Sequence, residues 1–241
     1  MRKVKAFYWD DRPNFGDRLT PHLLQRFSGV ESEWSDVGDA DVVATGSILE
    51  HVPEGWGGCV LGSGRLHENS GLHLAKASVM ALRGPLSAAG VPGDYALGDP
   101  GLLADELVTV ETRDITLGLL PHWSDTSLKY DHRFQPYHPV LIRPWEDVLS
   151  VLGMIGRCQK IVTSSLHGLI VADAFGIPRR FEPAPRFGVV PHEGGVFKFR
   201  DYNASVGLPF KVGETQRARW QVVEDRKSGL YDAFRAFGRI A

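Results

Sequence analysis

Short apolar runs that each stop at glycine or another small residue constrain this chain more than any other feature of its sequence. Val4-Lys5-Ala6-Phe7-Tyr8-Trp9 runs into the turn Asp11-Arg12-Pro13-Asn14-Phe15-Gly16, and Asp41-Val42-Val43-Ala44-Thr45 stops at Gly46-Ser47. Gly58-Cys59-Val60-Leu61 stops at Gly62-Ser63-Gly64, and Ser78-Val79-Met80-Ala81-Leu82 at Arg83-Gly84-Pro85. Runs this short, bounded by turn formers, read as buried strands. Helical spacing fills the stretches between them. From Asp17, read as an N-cap, Leu19, Leu23, Leu24 and Phe27 share one face, with Pro21 early enough to be tolerated. Such alternation implies an α/β protein with mostly parallel sheets, which bind ligands outside the carboxyl ends of their strands.

The pattern pauses at the polar stretch Glu111-Thr112-Arg113-Asp114 and then resumes. Ile115 to Leu120 leads into Pro121-His122-Trp123, Val140 to Arg143 is a strand, and Trp145 to Cys158 is a helix with Val148, Leu149, Leu152 and Ile155 inward. Lys160 to Thr163 is a strand, Leu166 to Phe175 a helix and Pro178 to Phe181 a short strand. Pro183 to Gly195 reads as an ordered loop near a cleft, and Glu214 to Phe237 as a charged amphipathic helix or two. At 241 residues the chain has length for two modest α/β halves, joined near residue 112.

Composition narrows the partners. The 27 basic and 29 acidic side chains leave a formal charge of -2, which removes the cationic footprint that nucleic acid binding needs. Cys59 and Cys158 are too few for a disulfide framework or a four-cysteine zinc site and are expected to be reduced and buried. No metal is expected, because the histidines are scattered and no H-E-x-x-H occurs. No G-x-S-x-G elbow supports a serine hydrolase. The basic start MRKVKAFYWDD has no apolar run for a signal peptide, and no run of about 20 apolar residues spans a bilayer, so the cytoplasm is the expected compartment.

Ile161-Val162-Thr163-Ser164-Ser165-Leu166-His167-Gly168 carries the most chemistry: a buried strand enters a serine turn and a helix begins. A helix start offers unpaired N–H groups to a phosphate or carboxylate, and His167, read as a surface position in the first turn, stands beside any such anion. The plainer alternative is that Ser164 or Ser165 caps the helix and His167 packs against a neighbour. Arg83, with Pro85 in the following turn, offers a fork of donors for an anion or, more simply, an ion pair. In Asn14-Phe15-Gly16-Asp17, Asp17 either takes a proton from a sugar hydroxyl or caps its helix. Trp123, after His122, either stacks on a sugar or fills a cleft.

These segments, together with Thr45-Gly46-Ser47, Leu97-Gly98-Asp99-Pro100 and Asp173-Ala174-Phe175-Gly176-Ile177-Pro178, occur in an order that resembles the polysaccharide pyruvyl transferase family over about three quarters of the chain. The resemblance implies two Rossmann-like domains facing a cleft, in an arrangement similar to the GT-B glycosyltransferases. Residues 1–111 would form an N-terminal acceptor-side domain, 112–213 a C-terminal donor-side domain and 214–241 a helical segment. The implied activity moves pyruvate from phosphoenolpyruvate onto two hydroxyls of one sugar, giving a cyclic ketal on a surface polysaccharide or its lipid-linked oligosaccharide precursor, with no cofactor. By the same resemblance Arg83 matches an arginine at the donor phosphate, and His167 a histidine at the donor carboxylate or reacting carbon. Many relatives carry an arginine where this chain has Ser165, so Arg143, Arg179, Arg180 or Arg186 is expected to supply that cation.

His167 is accordingly expected as the acid and His122 or Asp17 as the base, with Ser164, Ser165, Gly168, Asn14, Gly16, Ser63 and Trp123 in binding roles. Two other classes fit the pattern. A nucleotide-sugar glycosyltransferase would use Glu182 as its ribose carboxylate, and a carbohydrate-binding protein would keep the cleft without chemistry. Arg217, Arg219, Arg226, Arg235 and Arg239 near the C-terminus read first as a solvated face and second as a peripheral contact with the inner membrane surface.

Overall fold

The computed structural model describes residues 2–68, 70–125, 132–183 and 195–241. The apolar runs form two sheets. The first comprises β1 (Arg2–Phe7), β2 (Val30–Trp34), β3 (Val42–Val43), β4 (Cys59–Leu61), β5 (Ser78–Leu82) and β6 (Ala96–Leu97), in the order β2-β1-β3-β4-β5-β6 and parallel throughout. The second comprises β7 (Gly118–Leu120), β8 (Val140–Leu141), β9 (Ile161–Thr163), β10 (Arg179–Phe181) and β11 (Thr215–Gln216), in the order β8-β7-β9-β10-β11. Only β11 is antiparallel to its neighbour there. Each sheet therefore runs second, first, third, fourth strand in chain order, and each changes direction between its first and third strands. Ligands gather at such a reversal in open α/β sheets. Two parallel-dominated sheets are consistent with a two-domain Rossmann-like arrangement.

Several expectations move. Edge strands β2 and β6 escape the apolar-run reading, since Val30 is the one buried residue of Val-Glu-Ser-Glu-Trp and β6 has two residues. Helix α1 (Leu19–Leu23) begins after Arg18, so Asp17 is not its N-cap; the helix passes into a π turn, Leu24–Ser28, that Gly29 closes. Helix α3 (Val148–Gly156), capped by Asp147, buries Val148, Leu152 and Ile155 but leaves Leu149 exposed. The helix expected from Glu214 splits, because Thr215–Gln216 joins the second sheet as β11 and α6 (Trp220–Ile240) begins four residues on.

Helix α4 (Leu166–Ala174) is buried along its whole length, against β9, β10 and the 3-10 helix Pro100–Leu107. Gly168 permits this approach: a Cβ there would lie 2.2 Å from Thr163 Oγ1. Helix α6 crosses back to the first sheet and presents Val223, Leu230, Phe234 and Phe237 toward β4 to β6 and the π turn. One apolar cluster runs from Val4 and Leu19 through Leu102 and Leu103 to Ile170 and Phe234, so the two sheets share a core. Cys59 and Cys158 are buried and free, and burial pushes both thiols up to about 12. Among the described residues no helix is long and apolar enough to cross a membrane.

Candidate active site

The two reversal points face each other. The loop after β1 reaches across to the second sheet, where the Phe15 amide donates to the Pro144 carbonyl at 2.8 Å and the Phe15 ring meets His167 edge-on at 6.4 Å. Gly16 lies so close that a Cβ would fall 2.0 Å from His167 Nδ1, which leaves glycine as the one residue that fits without displacing the imidazole. Asp17 accepts a hydrogen bond from Asn14 Nδ2, and its backbone carbonyl accepts one from Thr45 Oγ1 at 3.0 Å. The first bond braces the β1 turn internally and the second clamps it to the β3 turn. Asn14, Gly16, Asp17 and His167 thus meet as one group, joined from α5 (Phe197–Ser205) by buried Lys198.

Burial sets the protonation states. It raises the Asp17 carboxyl to about 7, with Asp99 adding to the rise while Lys198 and Asn14 oppose it. Desolvation lowers His167 to about 3, aided by the Lys198 and Arg83 charges. His167 is buried, not at the surface, and its Nε2 has no hydrogen-bond partner. At neutral pH the site therefore holds a carboxyl poised between its two forms and a neutral imidazole. Asp99 is a second buried carboxyl, raised to about 6 by desolvation. Its Oδ1 caps the helix Pro100–Leu107 through Gly101 N at 2.9 Å, and its Oδ2 is unpartnered.

Arg83 is fully buried and its fork is spoken for in three directions: Nε donates to Asp201 Oδ2 at 2.9 Å, Nη1 to Ser47 Oγ and Nη2 to the Arg65 carbonyl. The other Asp201 oxygen accepts from the Leu86 and Ser87 amides, both at 2.9 Å. Asp201 lies on α5, so this knot fixes the helix that carries Lys198. Arg83 acts on His167 through its charge, and its guanidinium bonds to protein groups, the ion pair that is the simpler of its two readings, here buried and not at the surface.

The other expected residues divide. The Ser164 hydroxyl donates to Asp125 at 3.0 Å and accepts from the His122 amide at 2.8 Å, so it ties the β9 turn to the β7 turn. His122 Nδ1 shares a 2.8 Å hydrogen bond with Ser124 Oγ. Ser165 holds the N-cap position of α4 without a side-chain capping bond, its amide donating to Thr163 Oγ1. Helix geometry leaves the first-turn amides of α4 without intrahelical partners. Gly168 contributes close packing. The Ser63 hydroxyl donates to the Gly46 carbonyl at 2.9 Å and joins two turns. Trp123 is half-buried beneath Arg12, 5.4 Å from ring to guanidinium.

None of the described arginines named for the Ser165 position is a spare cation. Arg143 is exposed and paired with Glu146, Arg179 is buried against Asp173 and Asn203, and Arg180 pairs with Glu182. Arg186 lies outside the described residues. Lys198 is the buried cation whose charge acts on both Asp17 and His167, and sequence reasoning missed it. Its signal was a lysine set between two phenylalanines, Phe197 and Phe199. Asp99 read only as part of a turn, and Asp201 carried no local signal.

A cavity of about 640 Å³ opens elsewhere, lined by Lys3, Asp39, Trp56 and Phe237 near the amino ends of the strands of the first sheet. It gathers none of the groups above; the buried carboxyls and imidazole with shifted protonation lie at the reversal points. Fold and site together define a class: an α/β protein with acid–base groups and buried cations collected where two strand-order reversals oppose one another. A family model described as polysaccharide pyruvyl transferase matches residues 5–180, and the chain belongs to that family. It is 26% identical over 218 residues to the succinoglycan biosynthesis protein ExoV of Rhizobium meliloti (strain 1021), covering 86% of this chain and 66% of that protein. It is also 27% identical over 118 residues to an uncharacterized protein of Acanthamoeba polyphaga mimivirus, 46% of this chain and 40% of that one. The chain thus spans two thirds or less of the length of these relatives, and Lys198 and Asp201 lie beyond the segment the family model matches.

Proposed function

We propose that the protein transfers pyruvate from phosphoenolpyruvate to two hydroxyls of one sugar, forming a ketal on a polysaccharide or its lipid-linked precursor, in a GT-B-like cleft. The supporting observation is the convergence of Asp17, His167 and Lys198 at the opposed reversal points. Phosphoenolpyruvate carries roughly three negative charges near neutral pH. Lys198 and the first-turn amides of α4 suit that charge, and Lys198 stands in for the arginine absent at Ser165.

The reaction starts when an acid protonates the methylene carbon, and the enol oxygen feeds electrons to the adjacent carbon to give an oxocarbenium-like centre. The first sugar hydroxyl adds to that carbon and gives its proton to a base. Phosphate then departs with the electron pair of its C–O bond, and the second hydroxyl closes the ring, losing its proton. Asp17, raised to about 7, holds a proton near neutral pH and is assigned as the acid, while His167, neutral there but lowered to about 3, acts as base only once its basicity is restored, which reverses the division the sequence suggested. An anion bound beside His167 would offset the Lys198 and Arg83 charges and raise its basicity. In the glycosyltransferase alternative the ribose carboxylate would be Glu182, which already accepts from Arg180 and Arg133.

Incubating the protein with phosphoenolpyruvate and simple galactosides, glucosides and mannosides tests the proposal. Phosphate release with an acceptor mass gain of pyruvate less water is the expected result. Consumption of a sugar nucleotide in a parallel incubation while phosphoenolpyruvate is left unused, or binding of the sugars without any reaction, overturns it.

A further inference from the structure

Basic side chains are scarce where the two strand-order reversals meet. Among the described residues, the loops that leave β1, β3, β7 and β9 carry three arginines, Arg12, Arg18 and Arg133, and no lysine. Two of the three are engaged with carboxylates: Arg18 Nε donates to Asp10 and Arg133 Nη2 to Glu182. Arg12 differs. Its side chain is exposed, its guanidinium lies over the Trp123 ring at 5.4 Å from the centroid, and among the described residues that guanidinium makes no hydrogen bond or ion pair. Half-buried Trp123 is itself braced by the His122 ring, 5.4 Å away.

This stack joins the two sheets. Arg12 belongs to the loop after β1, two residues before Asn14, whose Nδ2 donates to Asp17. Trp123 belongs to the loop after β7, next to His122, whose amide donates to Ser164 Oγ one residue ahead of the N-cap of α4. The guanidinium is therefore held between the loop that carries Asp17 and the loop bonded to the turn that leads to His167.

We infer that Arg12 is a further donor-binding residue, which presents its N–H groups to an anionic group of phosphoenolpyruvate while it stays stacked on Trp123; this rests on the pyruvyl-transfer reading. The balance of charge asks for such a residue. Phosphoenolpyruvate brings roughly three negative charges. Lys198 supplies one buried cation to the site, the Arg83 charge is paired with Asp201, and Asp17 adds a negative charge whenever it ionises. Stacking and anion binding use different parts of a guanidinium. The indole meets its flat face, while its five N–H donors point outward in the plane, where they match a carboxylate or phosphate bidentately. A side chain already held on a ring also loses less freedom when the anion arrives.

Calorimetric titration of the full chain with phosphoenolpyruvate tests this. Arg12→Ala weakens binding tenfold or more, and Arg12→Lys, which keeps the charge without the planar fork, falls between that variant and the parent. Trp123→Ala weakens binding at least threefold, and Trp123→Phe, which keeps a ring face, stays within twofold of the parent. Thermal unfolding of Arg12→Ala without phosphoenolpyruvate stays within about 4 °C of the parent, as expected for the loss of one exposed cation–π contact. Parental phosphoenolpyruvate affinity in Arg12→Ala overturns the inference and leaves the transfer reading standing. So does a loss of affinity in Arg12→Ala that comes with a larger fall in unfolding temperature and is fully restored in Arg12→Lys, since Arg12 would then only latch the two loops. Failure of the parent protein to bind phosphoenolpyruvate overturns the transfer reading and the role of Arg12 with it.

Discussion

The two sheets share a strand order yet reach it with different materials. In the second, α3 and α4 are regular nine-residue helices, and the strand–turn–helix of Thr163-Ser164-Ser165-Leu166 holds His167 in a first turn. In the first, the connections are short: α1 has five residues, α2 (Pro85–Ala88) has four, and much of the remainder is 3-10 turn or loop. The first sheet compensates by borrowing, since α6 from the end of the chain covers it and Asp201 from α5 supplies the carboxylate that caps α2. A helix terminus sets one side of this site and a web of turn-to-turn hydrogen bonds the other. The regular half places its histidine by backbone geometry; the irregular half places its aspartate by side-chain clamps such as Asn14 and Thr45.

Asp17 and His167, one from each half and proposed as acid and base, respond alike in activity. His167→Ala and Asp17→Asn each lower pyruvyl transfer by about 100- to 10,000-fold, measured as phosphate release from phosphoenolpyruvate. Near-parental turnover in either variant breaks the pairing. The borrowed cap responds in stability: Arg83→Ala leaves the Asp201 carboxylate buried without its cation and costs about 3–5 kcal/mol by urea unfolding. The double variant Arg83→Ala/Asp201→Asn costs less than the sum of the single changes, and simple additivity would show that the two side chains act independently.

pH separates the halves next. Between about 3 and 6.5 His167 binds protons more readily in the open chain than when folded, so it makes stability rise with pH. Asp17 and Asp99, raised from 3.8 to about 7 and about 6, bind protons more readily when folded and make stability fall as pH rises from about 4. Over pH 4 to 6, His167→Gln therefore falls more steeply than the parent by about 1.4 kcal/mol per pH unit, and Asp17→Asn shifts the slope equally the other way. Unfolding curves at pH 4, 5 and 6 in the three proteins decide this; parallel slopes refute it. The smallest effect belongs to Arg143→Ala, whose exposed pair with Glu146 is worth no more than about 0.5 kcal/mol.

Much of the frame was legible because buried parallel strands announce themselves as apolar runs ending in glycine. Ser78–Leu82 and the helix beginning at Leu166 were placed to the residue at those bounds. What escaped lacks a local signature. The edge strand β2 alternates with glutamates, β6 is two residues long, and Asp201 is defined by partners more than a hundred residues away. His122, Asp17, Asn14 and His167 could be named from their turns, but not that burial would hold the imidazole neutral and keep a proton near the carboxyl. Those states come from Lys198, Arg83 and the packing of both sheets, which only the folded chain assembles. Arg83 shows the same limit: a fork at a strand end can be read as an anion site or as half of an ion pair, and its partner Asp201 is known only from the fold.

The return of α6 to the first sheet has a consequence for synthesis. Residues 59–97 emerge from the ribosome long before residues 220–240, which complete their apolar cover. The early half must wait with strands β4 to β6 only partly shielded, while the later half, closed by its own local helices, can pack at once. Nascent chains stalled before residue 220 should therefore engage chaperones through that early sheet, and release them when the final helix arrives.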